Sequence, residues 1–130
     1  MKDPSKHDAT QPLKGARVLL VEDDFLILAE LEQVLSEAGA EVAGLCRTVE
    51  EALRLAAGNS LSAAILDIML GQESVAPVAR KLDDAGVPFV FYSGQAGTDP
   101  IRREWPTCKI LSKPARPQAI VNALAELAKR

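Results

Sequence analysis

A chain of 130 residues with 48% hydrophobic and 25% charged residues fits one domain with one core, and at that length no attached effector domain is expected. The net charge of -3 argues against the basic face that nonspecific nucleic-acid binding needs. No apolar run reaches the roughly 18 residues of a membrane span, and the amino terminus lacks the apolar core of a signal peptide, so a cytoplasmic protein is expected.

Residues 1–14 mix Pro, Lys, Asp, Ser and Thr without periodicity and read as a flexible tail, with His7 a solvated bystander; the domain is expected over 15–130. "RVLLV" then reads as a strand. "DFLILAELEQVLSEAG" follows as a helix, with Leu28, Leu31, Val34, Leu35 and Ala38 at helical spacing and Gly39 as its stop. "EVAGLC" is a weaker second strand, and "TVEEALRLAAG" a helix with Thr48 as N-cap, Glu51 three residues on and Gly58 at its end.

"AAILD" is a third strand, apolar until Asp67. "SVAPVARKLDDAG" is a helix with Ser74 as cap, Pro77 in its first turn and Gly86 closing it. "PFVFYS" is the fourth strand. A short helix over 98–105 ends at Trp105 because Pro106 disfavours helical geometry in the residue before it. "KILS" is the fifth strand and "RPQAIVNALAELAKR" the terminal helix. Cys46 and Cys108 lack CxxC spacing and read as reduced thiols on or near strands.

Regular alternation of strand and helix implies parallel strands covered by helices on both sides, which the absence of polar alternation within the strands supports. The expected fold is α/β: a five-stranded, doubly wound, flavodoxin-like (βα)5 domain with strand order 2-1-3-4-5. In such sheets ligands bind beyond the carboxyl ends of the strands, beside strand 1. Those ends carry Glu22, Asp23 and Asp24 on strand 1, Asp67 on strand 3, Ser93 on strand 4 and Lys113 on strand 5.

Taken singly, each of these residues has an ordinary structural use as a cap, a turn former or a surface lysine. Gathered at one mouth they do not. Two carboxylates about 4 Å apart repel by about 4 kcal/mol at an effective dielectric near 20, so clustered acids need a cation. Lys113 offsets one charge, and Mg²⁺, which favours all-oxygen ligands and keeps several waters, offsets more. A divalent ion beside a carboxylate, a hydroxyl and an ammonium suits phosphoryl transfer, with Asp67 the candidate nucleophile.

The segments "LLVEDD" (19–24), "AILDIML" (64–70), "FYSG" (91–94) and "LSKPA" (111–115), in this order and on these strand ends, resemble the receiver domain of two-component response regulators across 16–130. The resemblance implies that Asp67 is the phosphoacceptor. It further implies that Asp23 and Asp67 hold Mg²⁺ directly, with the Met69 backbone carbonyl as another ligand and Glu22 acting through water. Ser93 and Lys113 would contact the phosphoryl group, Asp24 would cap the first helix, and Lys113–Pro114 would be cis. "GVPFVFYSG", Leu70-Gly71 and Pro77 look like the single-domain alphaproteobacterial group whose fourth strand ends Phe-Ala-Thr-Gly-x-Tyr. Here Tyr92 replaces Ala, Ser93 replaces Thr, and Ala96 stands where the last aromatic would be.

On this resemblance the chain is no enzyme beyond its own phosphorylation and dephosphorylation. It would take phosphate from a histidine kinase or phosphotransfer protein and act, as a monomer or weak dimer, through a protein bound on the face of its fourth helix, fifth strand and fifth helix. Ile101, Arg102, Trp105 and Ile110 are the candidates there, although Trp105 and Ile110 equally suit a core. Ile110 occupies the site where many receivers have the aromatic of a hydroxyl-aromatic switch, and Gln95 is the residue expected to limit autodephosphorylation. The competing classes are a degenerate receiver that binds constitutively, a phosphate shuttle or sink, and an enzyme or cofactor binder on the same topology, such as a flavodoxin or an aspartate-nucleophile phosphatase. Acids after strand 1 oppose a flavin phosphate, and Met69 stands where that phosphatase would need a second aspartate.

Overall fold

A computed structural model describes residues 11–57, 60–94 and 100–129. The main sheet comprises β1 (Arg17–Val21), β2 (Glu41–Cys46), β3 (Ala63–Asp67), β6 (Phe89–Ser93) and β7 (Ile110–Ser112). All its pairings are parallel and the order is β2-β1-β3-β6-β7. That is the expected flavodoxin-like order, with one addition. A two-stranded antiparallel hairpin, β4 (Met69–Leu70) and β5 (Glu73–Ser74), interrupts the path from β3 to the next helix. Gly71 turns it at φ 64°, as suits a glycine in the first central position of a two-residue hairpin loop.

Helices α1 (Phe25–Glu37), α2 (Val49–Ala56), α3 (Ala76–Asp84), α4 (Ile101–Glu104) and α5 (Pro117–Ala128) make the connections. Both stops of α1 and α3 follow from glycine. Gly39 (φ 96°) and Gly86 (φ 75°) take the left-handed conformation. Each then closes the double hydrogen bond of a Schellman ending: Gly39 N–H to Ser36 O (3.0 Å) with Ala40 N–H to Leu35 O (3.0 Å), and Gly86 N–H to Asp83 O (3.0 Å) with Val87 N–H to Leu82 O (2.9 Å). Thr48 Oγ1 accepts from Glu51 N at 3.1 Å as expected, but Glu51 reaches back to the N–H of Arg47, one residue before the cap.

Strand residues sort by alternation onto two cores. Val18, Leu20, Ile65, Val90 and Tyr92 pack with Leu28, Leu31, Leu35 and Leu124 of α1 and α5. Leu19, Val21, Leu66, Phe89 and Phe91 pack with Val49, Ala52, Val78 and Leu82 of α2 and α3.

Four expectations are corrected or bounded here. Of the expected tail, residues 1–10 lie outside the described residues, but Leu13 packs: it is 1% exposed and its N–H donates to Ala38 O at 2.9 Å. Leu13 is buried because an apolar side chain beside α1 gains more from burial than from water. Ser74 is not the N-cap of α3; Val75 is, while Ser74 belongs to β5 and its Oγ accepts from Ala76 N at 3.1 Å. The short fourth helix begins at Ile101, with Pro100 as its cap, and residues 98 and 99 of its expected span lie outside the described residues, as does Gly58.

Candidate functional site

The carboxyl ends of the strands are level with one another: Val21 lies beside Cys46 and Leu66, Asp67 beside Tyr92, and Ser93 beside Ser112. This register brings residues separated by up to 91 positions to one mouth. Glu22, Asp23 and Asp67 each offer a carboxylate oxygen there, all within 4.8 Å of one another.

Glu22 continues the edge of β1, its N–H donating to Cys46 O at 2.9 Å, and its side chain is only 1% exposed. Oε2 accepts from Asp24 N at 3.1 Å. Oε1 lies 2.7 Å from Lys113 Nζ as an ion pair whose angles do not make it a hydrogen bond, leaving that oxygen without one. Burial pushes the Glu22 carboxyl up to about 7; Lys113 opposes the shift and nearby Asp67 adds to it.

Asp23 is half-buried and its Oδ2 accepts from Gly71 N at 2.7 Å. Its backbone carbonyl accepts from Nε and Nη2 of Arg47, both at 3.2 Å. Asp24 does what its position predicts, Oδ1 accepting from Leu26 N (2.9 Å) and Ile27 N (3.2 Å) as the cap of α1. Asp67 is 8% exposed and its Oδ2 sits 3.1 Å from Lys113 Nζ. Lys113 follows β7, its N–H donating to Ser93 O at 2.9 Å, and Lys113–Pro114 is cis. Burial works to lower the Lys113 ammonium's value, but contact with Glu22 and Asp67 leaves it above the ordinary lysine value.

Ser93 ends β6, buried and next to this group, and Met69 lies two residues beyond Asp67 at the start of the hairpin. Gln95 and Ala96 lie outside the described residues. Three contributors were not named as site residues from the sequence: Gly71 and Arg47, which fix Asp23 through backbone groups, and Tyr92, whose hydroxyl accepts from Ala115 N at 3.1 Å. Gly71 and Tyr92 had a sequence signal, the one in Leu70-Gly71 and the other as an aromatic where its resemblance group has alanine; Arg47 had none.

The oxygen-only donor set suits a hard divalent cation such as Mg²⁺, and the charge balance favours one, since among the described residues Lys113, paired with Glu22 and Asp67, is the only ammonium in an ion pair with any of the three acids. By contrast, a groove of about 900 Å³ at the amino ends of β6 and β7, lined by Phe89, Trp105, Cys108, Leu111 and Ala123 among others, holds no such cluster.

The expected output face is largely turned inward. Ile101 is buried, Ile110 packs against the core, and Trp105 stands edge-on to Phe89 and Phe91 at 5.9 and 6.1 Å. Arg102 is exposed and donates to Cys108 O at 3.0 Å. Both cysteines are free thiols, as expected, and burial pushes each up to about 11. No described helix is long and apolar enough to cross a membrane.

Comparison with solved structures finds response regulator receivers. SdrG from Sphingomonas melonis Fr1 is 35% identical, with 86% of this chain and 95% of that one covered and a TM-score of 0.73. A response regulator receiver protein from Sinorhizobium medicae WSM419 is 26% identical over 88% of this chain and 94% of its own, at a TM-score of 0.74. The response regulator PhyR from Brucella abortus is 27% identical over 95% of this chain and 52% of its own, at 0.71. No curated protein sequence matches. The family model described as the response regulator receiver domain matches residues 18–125, and the chain belongs to that family.

Proposed function

We propose that this protein is a phosphorylation-switched signalling receiver that accepts a phosphoryl group on Asp67 from a histidine kinase or phosphotransfer protein. The observation that carries the reading is the grouping of Glu22, Asp23 and Asp67 within 4.8 Å with the Lys113 ammonium 2.7 and 3.1 Å from two of them. An Asp67 carboxylate oxygen attacks phosphorus, the bond to the donor's imidazole nitrogen breaks, and the leaving imidazole takes a proton from water. Asp23, Asp67 and the Met69 carbonyl, with Glu22 acting through water, would hold Mg²⁺, which would supply neutralisation of charge on the phosphoryl oxygens. Lys113 and Ser93 contact the transferred group from the ends of β7 and β6, and Asp67, being 8% exposed, meets its donor from one side only.

Catalysis is limited to this self-modification and its reversal, and the signal passes to a protein bound at α4, β7 and α5, where Arg102 is exposed. The strand ending "FYSG", Leu70-Gly71 and Pro77 support a place beside the alphaproteobacterial Phe-Ala-Thr-Gly-x-Tyr receivers, working in the cytoplasm. Incubation with Mg²⁺ and acetyl phosphate should add the mass of one phosphoryl group to the wild type and none to Asp67→Asn. A wild type that gains nothing, or an Asp67→Asn variant that gains it, refutes the proposal.

A further inference from the structure

We infer that Tyr92 is a positioning residue for Lys113, gripping the lysine's segment at its backbone and at its ammonium. The inference rests on the receiver chemistry proposed above. Tyr92 is the register neighbour of Asp67 on β3 and of Leu111 on β7, so it lies between the acidic residue and the strand that delivers the lysine. Alternation along β3 and β6 turns Asp67 and Tyr92 to the same side of the sheet, the side of α1 and α5.

Two contacts reach the lysine from there. The phenolic oxygen accepts from the N–H of Ala115, two residues past Lys113 and just after the cis Lys113–Pro114 bond. The ring centroid lies 5.4 Å from Lys113 Nζ, within the range of a cation–π contact. A lysine stem has many rotamers, and most would take the ammonium away from Glu22 and Asp67. The carboxylates attract it from one direction. The aromatic ring limits retreat in another, and the hydroxyl fixes the backbone from which the stem starts.

Burial explains why this tyrosine needs a hydroxyl partner, but not why the partner belongs to the segment of the lysine whose ammonium its ring contacts. Because backbone and ring contacts converge on one residue, Tyr92→Phe should loosen the segment while keeping the ring, and Tyr92→Leu should remove both contacts.

The test uses the full chain. In Tyr92→Phe, amide exchange at Ala115 should quicken, and the initial rate of phosphorylation by acetyl phosphate at saturating Mg²⁺ should fall about 3- to 10-fold, the loss of one modest hydrogen bond at the transition state. Tyr92→Leu should be slower still. Mg²⁺ affinity measured by calorimetry should stay within about twofold in Tyr92→Phe, a loss well below the roughly tenfold of a disturbed metal site. The decisive comparison repeats Tyr92→Phe in a Lys113→Ala background. If the tyrosine acts through the lysine, its effect there shrinks below about twofold. Equal slowing in both backgrounds, or an unchanged rate in Tyr92→Phe alone, overturns the inference while leaving Asp67 as phosphoacceptor. A wild type that takes no phosphoryl group overturns the receiver chemistry itself.

Discussion

Replacing Asp67 by asparagine removes one negative charge from a crowded site, and the structure gives the sign of the result. The Asp67 carboxylate lies within 4.8 Å of those of Glu22 and Asp23, and each pairing costs at least about 3.5 kcal/mol at an effective dielectric near 20. Its ion pair with Lys113 at 3.1 Å offsets about 5 kcal/mol of this. Losing two repulsions and one attraction leaves the asparagine form ahead by about 2 kcal/mol, a sizeable share of a stability of about 5–15 kcal/mol. In low salt with EDTA at pH 8, its melting temperature should therefore exceed the wild type's by about 5–10 °C.

The advantage also depends on pH. Because Glu22 is raised from 4.5 to about 7, the stability it contributes in its neutral form is full below 4.5 and lost as pH rises through about 7. At pH 6 Glu22 is mostly neutral, one repulsion is absent from the wild type, and the advantage of Asp67→Asn should turn into a deficit of about 2 kcal/mol. Mg²⁺ should raise the wild type's melting temperature and leave Asp67→Asn nearly unmoved. An asparagine variant that melts below the wild type at pH 8 in EDTA would refute this reasoning.

Asp23→Ala should abolish the Mg²⁺-dependent rise in melting temperature while leaving a folded protein, and calorimetric binding at wild-type strength would contradict the proposed metal seat. Gly39→Ala should cost about 1–2 kcal/mol in urea unfolding, since its φ is 96° and a Cβ would stand 3.1 Å from Lys14 N and 3.2 Å from Lys14 Cα. Cys46 and Cys108, both pushed to about 11 by burial, should react with iodoacetamide at pH 8 at least tenfold more slowly than a free thiol of pKa about 8.5, and rates equal to the unfolded chain's would count against that burial.

Much of this was legible in the sequence for local reasons. Five apolar runs alternating with amphipathic stretches carry the sheet and its helices, because each element's own period and stop signals are written within it. Gly39, Gly86, Asp24 and Thr48 act at the helix ends where they stand, through contacts with residues no more than four positions away. The strand-end rule then gathers Glu22, Asp23, Asp67, Ser93 and Lys113 from the order of the elements alone.

Other features were decided only in three dimensions. Strands buried on both faces show no polar alternation, so nothing in "FVFYS" tells which residues turn toward α5 and which toward α3; the packed helices decide it. The inward turn of Trp105 onto Phe89 and Phe91 likewise depends on where α4 lies, which a four-residue helix does not state by periodicity. The contacts that hold the site are longer in range still. Gly71 donates to Asp23 across 48 positions, Arg47 across 24, and Ala115 to Tyr92 across 23. At least one partner in each is a backbone group, which every residue type carries. Side-chain identity therefore named the reacting groups, while the meeting of backbone amides and carbonyls, visible only in the folded chain, decided how they are held.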